Sequence, residues 1–320
     1  MSKAKTFASL RSMGKSFSVK SIVMLSFLIG SLLLSGCTRK KAPLGTKENP
    51  IKLYFVPAVD AKVIDANSRR FTDYLEAHTP YHYKVSVPQS YIAVVEAFGT
   101  KRADVAGLNT FGYALAHKKY GAEALLTLIR FGKPTYQSQF VVRADSPIKK
   151  LEDLNGKKIA FVDPASTSGY LLPSKTLKDK HIKPKETVFA MKHDSVISMV
   201  YQHQVDAGAT FYSPVEKGEI QDARRLVLTQ YPDVIKKVRI LDLSSPIPND
   251  PIVFRKDLSP EMKTKLVQAL KDFIQTPEGK KAFQEVFGAT GLVDTNDQKY
   301  ESTLQMFQDM GVDLESMKGS

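Results

Sequence analysis

The chain has 320 residues, enough for two lobes of ordinary size, each with its own core. Its formal net charge is +13, and it carries 42% hydrophobic and 25% charged residues, a balance that places it among globular chains and excludes a disordered or low-complexity one. Cys37 is its single cysteine, so a body beyond it has no disulfide, zinc–thiolate cluster or cysteine nucleophile.

The amino terminus reads as an export leader. Lys3, Lys5, Arg11, Lys15 and Lys20 stand in a stretch free of acidic residues, and Ile22 to Leu34 is an apolar run too short for a final membrane span. It ends in Leu34-Ser35-Gly36-Cys37, which resembles a bacterial lipoprotein signal with small residues before a lipid-bearing (palmitate) cysteine. On this reading residues 1–36 are a signal peptide and 37–49 a lipidated tether. Loss of the five leader cations lowers the net charge from +13 to about +8. Arg39-Lys40-Lys41 beside the anchor favours anionic headgroups. Export and the scattered basic residues speak against nucleic acid as a partner.

From there strand and helix alternate. Ile51–Val56 reads as the first strand and Ile64–Ala77 as an amphipathic helix. Tyr83–Val87 is a strand, Tyr91–Phe98 a helix stopped by Gly99, Ala103–Leu108 a strand and Phe111–Lys119 a helix. Gln139–Arg143 is a long strand-like connector. The pattern then restarts with a strand ending at Val162, a helix from Ser168, a strand at Thr187–Ala190, a helix from Ser195 to about His203, and a strand at Ala207–Thr210. Ile240–Leu243, a Pro-rich loop and Ile252–Phe254 make a return crossing, and Pro260–Phe273 and Pro277–Phe287 are closing helices. The fold class is therefore α/β, with two Rossmann-like lobes joined by two hinge crossings. Lobe 1 spans 50–142, lobe 2 spans 143–248, and 249–320 returns to lobe 1. A ligand cleft between the lobes is the expected site.

The stretch Asp163-Pro-Ala-Ser-Thr-Ser-Gly-Tyr170 is the sharpest chemical signal. It lies where the strand ending at Val162 turns into a helix, so first-turn N–H groups, the helix dipole and three hydroxyls meet at one spot. Such a turn binds tetrahedral oxyanions, with Gly169 allowing close backbone approach; the bland alternative is a simple Ser/Thr N-cap. His193-Asp194 opens a later helix, with Asp194 readable as its cap. Asn249-Asp250-Pro251 is also a good turn sequence. Hydrolytic chemistry is poorly served. The six histidines include no His-Glu-x-x-His spacing, and Ser166 or Ser168 with His193 lacks a Gly-x-Ser-x-Gly elbow. No enzyme activity, metal or cofactor is expected.

Three stretches, Asp163–Tyr170, His193-Asp194 ahead of Val205–Ala209, and Ser245–Arg255, occur in an order and spacing that resembles the periplasmic phosphonate/phosphite/phosphate-binding proteins of ABC importers, of the type II solute-binding fold. The resemblance covers about residues 50–300. It implies that Ser166, Thr167 and Ser168 hold an oxyanion, that His193 contacts it, and that Asp250 accepts a hydrogen bond from a ligand P–OH, which would reject sulfate. It adds Tyr91 at a helix start. Asn109 and Thr110, at the end of the third strand, and Tyr136, before the first crossing, are further cleft candidates. Relatives that take aminoalkylphosphonates carry a glutamate after the strand matching Ala207–Ala209. This chain has Tyr212 and Ser213 there, so phosphate, phosphite or a small alkylphosphonate is the expected ligand, with Tyr212 a further candidate contact. The implied partners are a permease with its ATPase and, through Cys37, a membrane, with the protein a monomer. A ligand-sensing subunit, or a binder of another anionic metabolite, on the same fold is the alternative.

Overall fold

A computed structural model describes residues 42–309 of the chain. The proposed leader, Cys37 and the tether up to residue 41 lie outside those residues. The chain divides after Ala42, and Pro43–Ser320 forms one unit. Among the described residues no helix is long and apolar enough to cross a membrane.

The first sheet collects β1 (Ile51–Phe55), β2 (Tyr83–Ser86), β3 (Val105–Gly107), β4 (Glu123–Ile129), β11 (Pro251–Phe254) and β12 (Gly291–Asp294) in the order β12-β4-β11-β3-β1-β2. β1 runs parallel to β2 and β3, whereas β11 enters antiparallel between β3 and β4. The second sheet holds β5 (Thr135–Arg143), β6 (Lys158–Phe161), β7 (Glu186–Phe189), β8 (Ala207–Tyr212), β9 (Val238–Leu243) and β10 (Ile247–Pro248), in the order β10-β5-β8-β6-β7, with β9 also on β5. The α/β two-sheet architecture is the one the sequence implies, with the parallel runs β2-β1-β3 and β8-β6-β7 joined by helical crossovers.

The helices that matter for the cleft are α1 (Ala61–His78), α2 (Tyr91–Gly99), α3 (Thr110–Tyr120), α4 (Leu172–Asp179), α5 (His193–Tyr201), α6 (Pro260–Phe273), α7 (Pro277–Phe287) and α8 (Glu301–Asp309). α1 starts on an Asp60 cap that accepts from the Lys62 N–H, and it buries Ile64, Phe71 and Leu75, one stripe at helical spacing. Phe71 meets Phe55, Phe273 and Phe283 edge-on at 5.5, 5.1 and 4.9 Å, tying β1, α6 and α7 into the core of the first lobe. α3 is buried along its first seven residues and so presents no polar face there. It lies beneath α8, where Phe111 meets Phe307 at 4.9 Å.

Sheet membership moves one expected boundary. β5 begins at Thr135 and belongs to the second sheet, so the chain leaves the first sheet after Ile129 rather than at 142. The second crossing is Asn249–Asp250, between β10 and β11. Strand β4, its buried and open positions alternating along Glu123–Ile129, adds to the expected elements.

Asn249 knits the two crossings together. Its amide donates to the carbonyls of Leu128 (2.9 Å) and Lys133 (2.8 Å), and its Oδ1 accepts from Arg130 Nη1 (3.1 Å). Its own carbonyl accepts from the Tyr300 hydroxyl at 3.0 Å.

Candidate functional site

The sheets bring their loops together at a cavity of about 60 Å³ between the lobes. Sites for drug-sized molecules occupy roughly 300–1,000 Å³, so this one suits only a very small ligand. Its walls carry Tyr91, Asn109, Tyr136, Ser166, Thr167, Ser168, His193 and Asp250, eight residues singled out from the sequence. Among the described residues it also takes in four helix beginnings: Tyr91 opens α2, Asn109 caps α3, Ser166 caps the turn before α4, and His193 opens α5. Helix N-termini carry partial positive charge and unmatched N–H groups, so their convergence favours an anion.

The Ser-Thr-Ser turn is not a plain α-helical start. Thr167–Leu171 forms a π-turn, in which the Leu171 N–H donates to the Ser166 carbonyl at 3.0 Å, and the α-helix proper begins at Leu172. Ser166 Oγ accepts from the Gly169 N–H at 3.1 Å, which caps that donor; the Thr167 and Ser168 N–H groups stand at the helix's first positions, where no intrahelical acceptor exists. Gly169 serves a different purpose from the expected approach to a ligand. A Cβ there would sit 2.3 Å from Val162 Cγ2, so glycine is needed to pack the turn against the end of β6.

Thr167 is shared between the lobes. Its Oγ1 accepts from Asn109 Nδ2 and from the Phe111 N–H, both at 3.1 Å, and Asn109 Nδ2 also donates to the Ala165 carbonyl at 2.7 Å. Asn109 Oδ1 accepts from the Gly112 N–H at 3.0 Å, so this one side chain both caps α3 and bridges to the second lobe. The Thr167 hydroxyl keeps its own proton to donate. Across the cleft, the His193 N–H donates to the Ala58 carbonyl at 3.3 Å.

His193 is 6% exposed, and burial, with Arg130 nearby, pushes its pKa down to about 3. It is therefore a neutral imidazole, and its Nδ1 is buried with no partner. The α5 cap position is Lys192, not Asp194; Asp194 accepts from the Ser195 N–H at 2.9 Å within the first turn. Tyr91 and Tyr136 are buried, which raises both phenols, with Asp163 acting further on the first and Asp250 on the second. Each stays a protonated donor.

Asp250 Oδ2 takes a 2.6 Å bond from Arg130 Nη2, and Oδ1 is buried without a partner. Arg130 is engaged from three sides, since its Nε donates to the Phe287 carbonyl (3.1 Å), Nη1 to Asn249 and Nη2 to Asp250, and its guanidinium lies 4.6 Å from the Tyr136 ring centroid.

Two expected contacts do not reach the cavity. Thr110 donates to the Pro248 carbonyl at 2.9 Å, behind the wall. Tyr212 lies outside the lining, and its neighbour Phe211 lies in it, 4.9 Å from His193 ring to ring. Successive strand residues face opposite sides, so a one-residue misjudgement exchanges wall for exterior. Sequence reasoning also missed Arg130, Arg225 and Phe287. Arg225, beside Arg224, looks like ordinary surface charge, and Arg130 directly follows β4, a strand outside the expected set. Among the described residues no cluster of metal-ligating side chains occurs.

The family model described as "ABC transporter, phosphonate, periplasmic substrate-binding protein" matches residues 53–300, nearly the whole of the two lobes. The chain belongs to this family. A phosphate-import protein of Mycolicibacterium smegmatis is 29% identical over 58% of this chain and 64% of its own length. The phosphonates-binding periplasmic protein of Escherichia coli is 26% identical over 61% of this chain and 58% of its own. The chain thus spans less than two thirds of either relative. The crystal structure of a binding-protein component of an ABC phosphonate transporter from Pseudomonas aeruginosa superposes with a TM-score of 0.71 at 21% identity, covering 87% of this chain and 91% of that one, which supports the fold.

Proposed function

We propose that this chain is the extracytoplasmic ligand-binding component of an ABC importer and that it captures a phosphorus oxyanion: phosphate, phosphite or a small alkylphosphonate. The observation that carries the reading is the small cavity between the lobes, where helix beginnings supply donors while the acceptor Asp250 Oδ1 and the ring nitrogen His193 Nδ1 are buried without protein partners. Buried polar groups are otherwise almost always paired, so these atoms point to a ligand that donates a proton to one and fits against the other. Ser166, Thr167 and Ser168 would grip the oxyanion, Tyr91 and Tyr136 would donate phenolic protons, and Asp250 would accept from P–OH.

The lobes would close over the ligand about the Arg130–Pro134 and Asn249–Asp250 crossings, exclude water, and present the closed form to a permease. Cys37 would carry the lipid that holds the protein at the membrane. The chemistry is recognition alone, with no bond made or broken. Phe211 and Phe287 in the wall, and Asp250 as the one carboxylate of the lining with its charge already paired to Arg130, speak against an aminoethyl arm. Glu216, the next acid along, pairs its backbone with Glu219 in a separate turn.

The test is a thermal-shift panel on protein stripped of phosphate, with phosphate, phosphite, methylphosphonate, 2-aminoethylphosphonate and sulfate. A ligand at a hundredfold excess over its dissociation constant stabilises by about 2.7 kcal/mol. A shift with at least one phosphorus oxyanion and none with sulfate supports the assignment; no shift with any phosphorus compound overturns it.

A further inference from the structure

Two arginines line the cavity, and they are not equivalent. Arg130 is consumed by the hinge and cancelled by Asp250. Arg225 sits on a short 3-10 turn, Ala223–Val227, of the second lobe. Its neighbour Arg224 is held by Asp222 in a two-pronged pair at 3.0 and 2.8 Å and donates to the Val238 carbonyl. Arg225 reaches the other way, across the cleft. Its Nη2 donates to the Gln284 carbonyl in the last turn of α7 at 3.1 Å, and its Nε is buried with no partner.

The charged and titratable groups around it leave Arg225 uncompensated. From the crossings, Arg130 and Asp250 form an internal pair. From α5, His193 is neutral, and the Tyr91 and Tyr136 phenols are protonated. Asp222 is taken by Arg224, and on α7 Glu285 accepts from Asn67 at 2.8 Å and lies 3.7 Å from Arg70. Asp163 accepts from the backbone of Ala165 and Tyr91. Burial, and then Arg130, lower the Arg225 pKa, the signature of a cation lacking an adequate counter-charge; a guanidinium stays charged nonetheless.

We propose that Arg225 binds the ligand and selects its charge, and that the ligand selected is hydrogenphosphate, the dianion that retains a proton. This rests on the phosphorus-oxyanion reading above. The cavity makes two demands at once. A fixed positive charge attracts a dianion twice as strongly as a monoanion at the same distance. Asp250 Oδ1 accepts only from a ligand that still has an O–H and repels one that does not. Hydrogenphosphate meets both. Phosphite and methylphosphonate have only two ionisable oxygens, so their dianions have no P–OH and their protonated forms carry a single charge. Sulfate has the charge without the proton. The competing role for Arg225 is a strap that merely holds the second lobe against the C-terminal turn of α7, and a strap acts on every ligand alike.

Calorimetric titration of phosphate and methylphosphonate into the wild type, Arg225→Gln and Arg225→Lys separates these roles. It is run from about pH 5 to about 8, spanning the range in which phosphate groups take their second charge. Wild-type affinity for phosphate rises with pH, while that for methylphosphonate falls as its P–OH is lost. Arg225→Gln lowers phosphate affinity on the order of thirtyfold or more, lowers methylphosphonate affinity at low pH much less, and blunts the rise with pH. Retained methylphosphonate binding shows that the variant is folded. If the glutamine variant does not fold, Arg225→Lys carries the test, because it keeps the charge and must keep the rise of phosphate affinity with pH. Equal losses for both ligands with unchanged pH profiles, no loss at all, or a lysine variant without the rise overturn the proposal. A wild type that binds neither ligand overturns instead the oxyanion reading on which it rests.

Discussion

His193 makes the stability of this protein depend on pH in a calculable way. The imidazole is buried and neutral, with a pKa of about 3, against about 6.5 for an exposed histidine. Between those values the unfolded chain binds a proton that the folded chain refuses, so stability falls as pH drops below about 6.5 and recovers as pH rises through it. The slope is about 1.4 kcal/mol per pH unit once the unfolded histidine is largely protonated. Integrated from pH 7 to 5, His193 alone removes about 2 kcal/mol, a substantial share of the roughly 5–15 kcal/mol that holds a typical domain together. The assay is urea unfolding of the ligand-free wild type and of His193→Gln at both pH values, with the difference of differences isolating this group. Wild type should lose about 2 kcal/mol more than the variant on acidification. Parallel losses in the two proteins would refute the claim that His193 is held neutral by burial.

Two further substitutions probe the turn and the carboxylate. Gly169→Ala brings a Cβ to 2.3 Å from Val162 Cγ2, and such overpacking costs about 1–3 kcal/mol in thermal or urea unfolding; pairing it with Val162→Ala should recover part of that loss, and a neutral Gly169→Ala would contradict the packing role. Asp250→Asn replaces an acceptor that repels unprotonated oxyanions with an amide that can donate. The variant should give a sulfate-induced thermal shift that the wild type lacks, and continued rejection of sulfate would remove Asp250 from the ligand shell.

Local pattern carried much of this reading because local physics decides it. β1 alternates as Ile51, Leu53 and Phe55 inward, α1 spaces Ile64, Phe71 and Leu75 along one stripe, and the Ser-Thr-Ser turn after β6 stands at a helix start. What the sequence left hidden depends on distant pairing. β4 and β12 are strands because they pair with each other and, in β4, with β11, more than a hundred residues apart along the chain. Arg130 became visible as a hinge group only when Asn249 and Asp250 were brought to it, and Arg225 only when its turn met the end of α7. Phe211 and Tyr212 show the limit of a motif without register: the motif marked the strand end, and the pleat decided which side chain faced the cleft.

The most direct test of the central claim is the position of a bound oxyanion. Crystals grown with arsenate, which has the shape and protonation of phosphate and a strong anomalous signal, would locate it. One anomalous peak is expected in the cavity, within hydrogen-bond reach of the Thr167 and Ser168 N–H groups on one side and Asp250 Oδ1 on the other. A peak elsewhere, or none in the cavity at saturating arsenate, would contradict it.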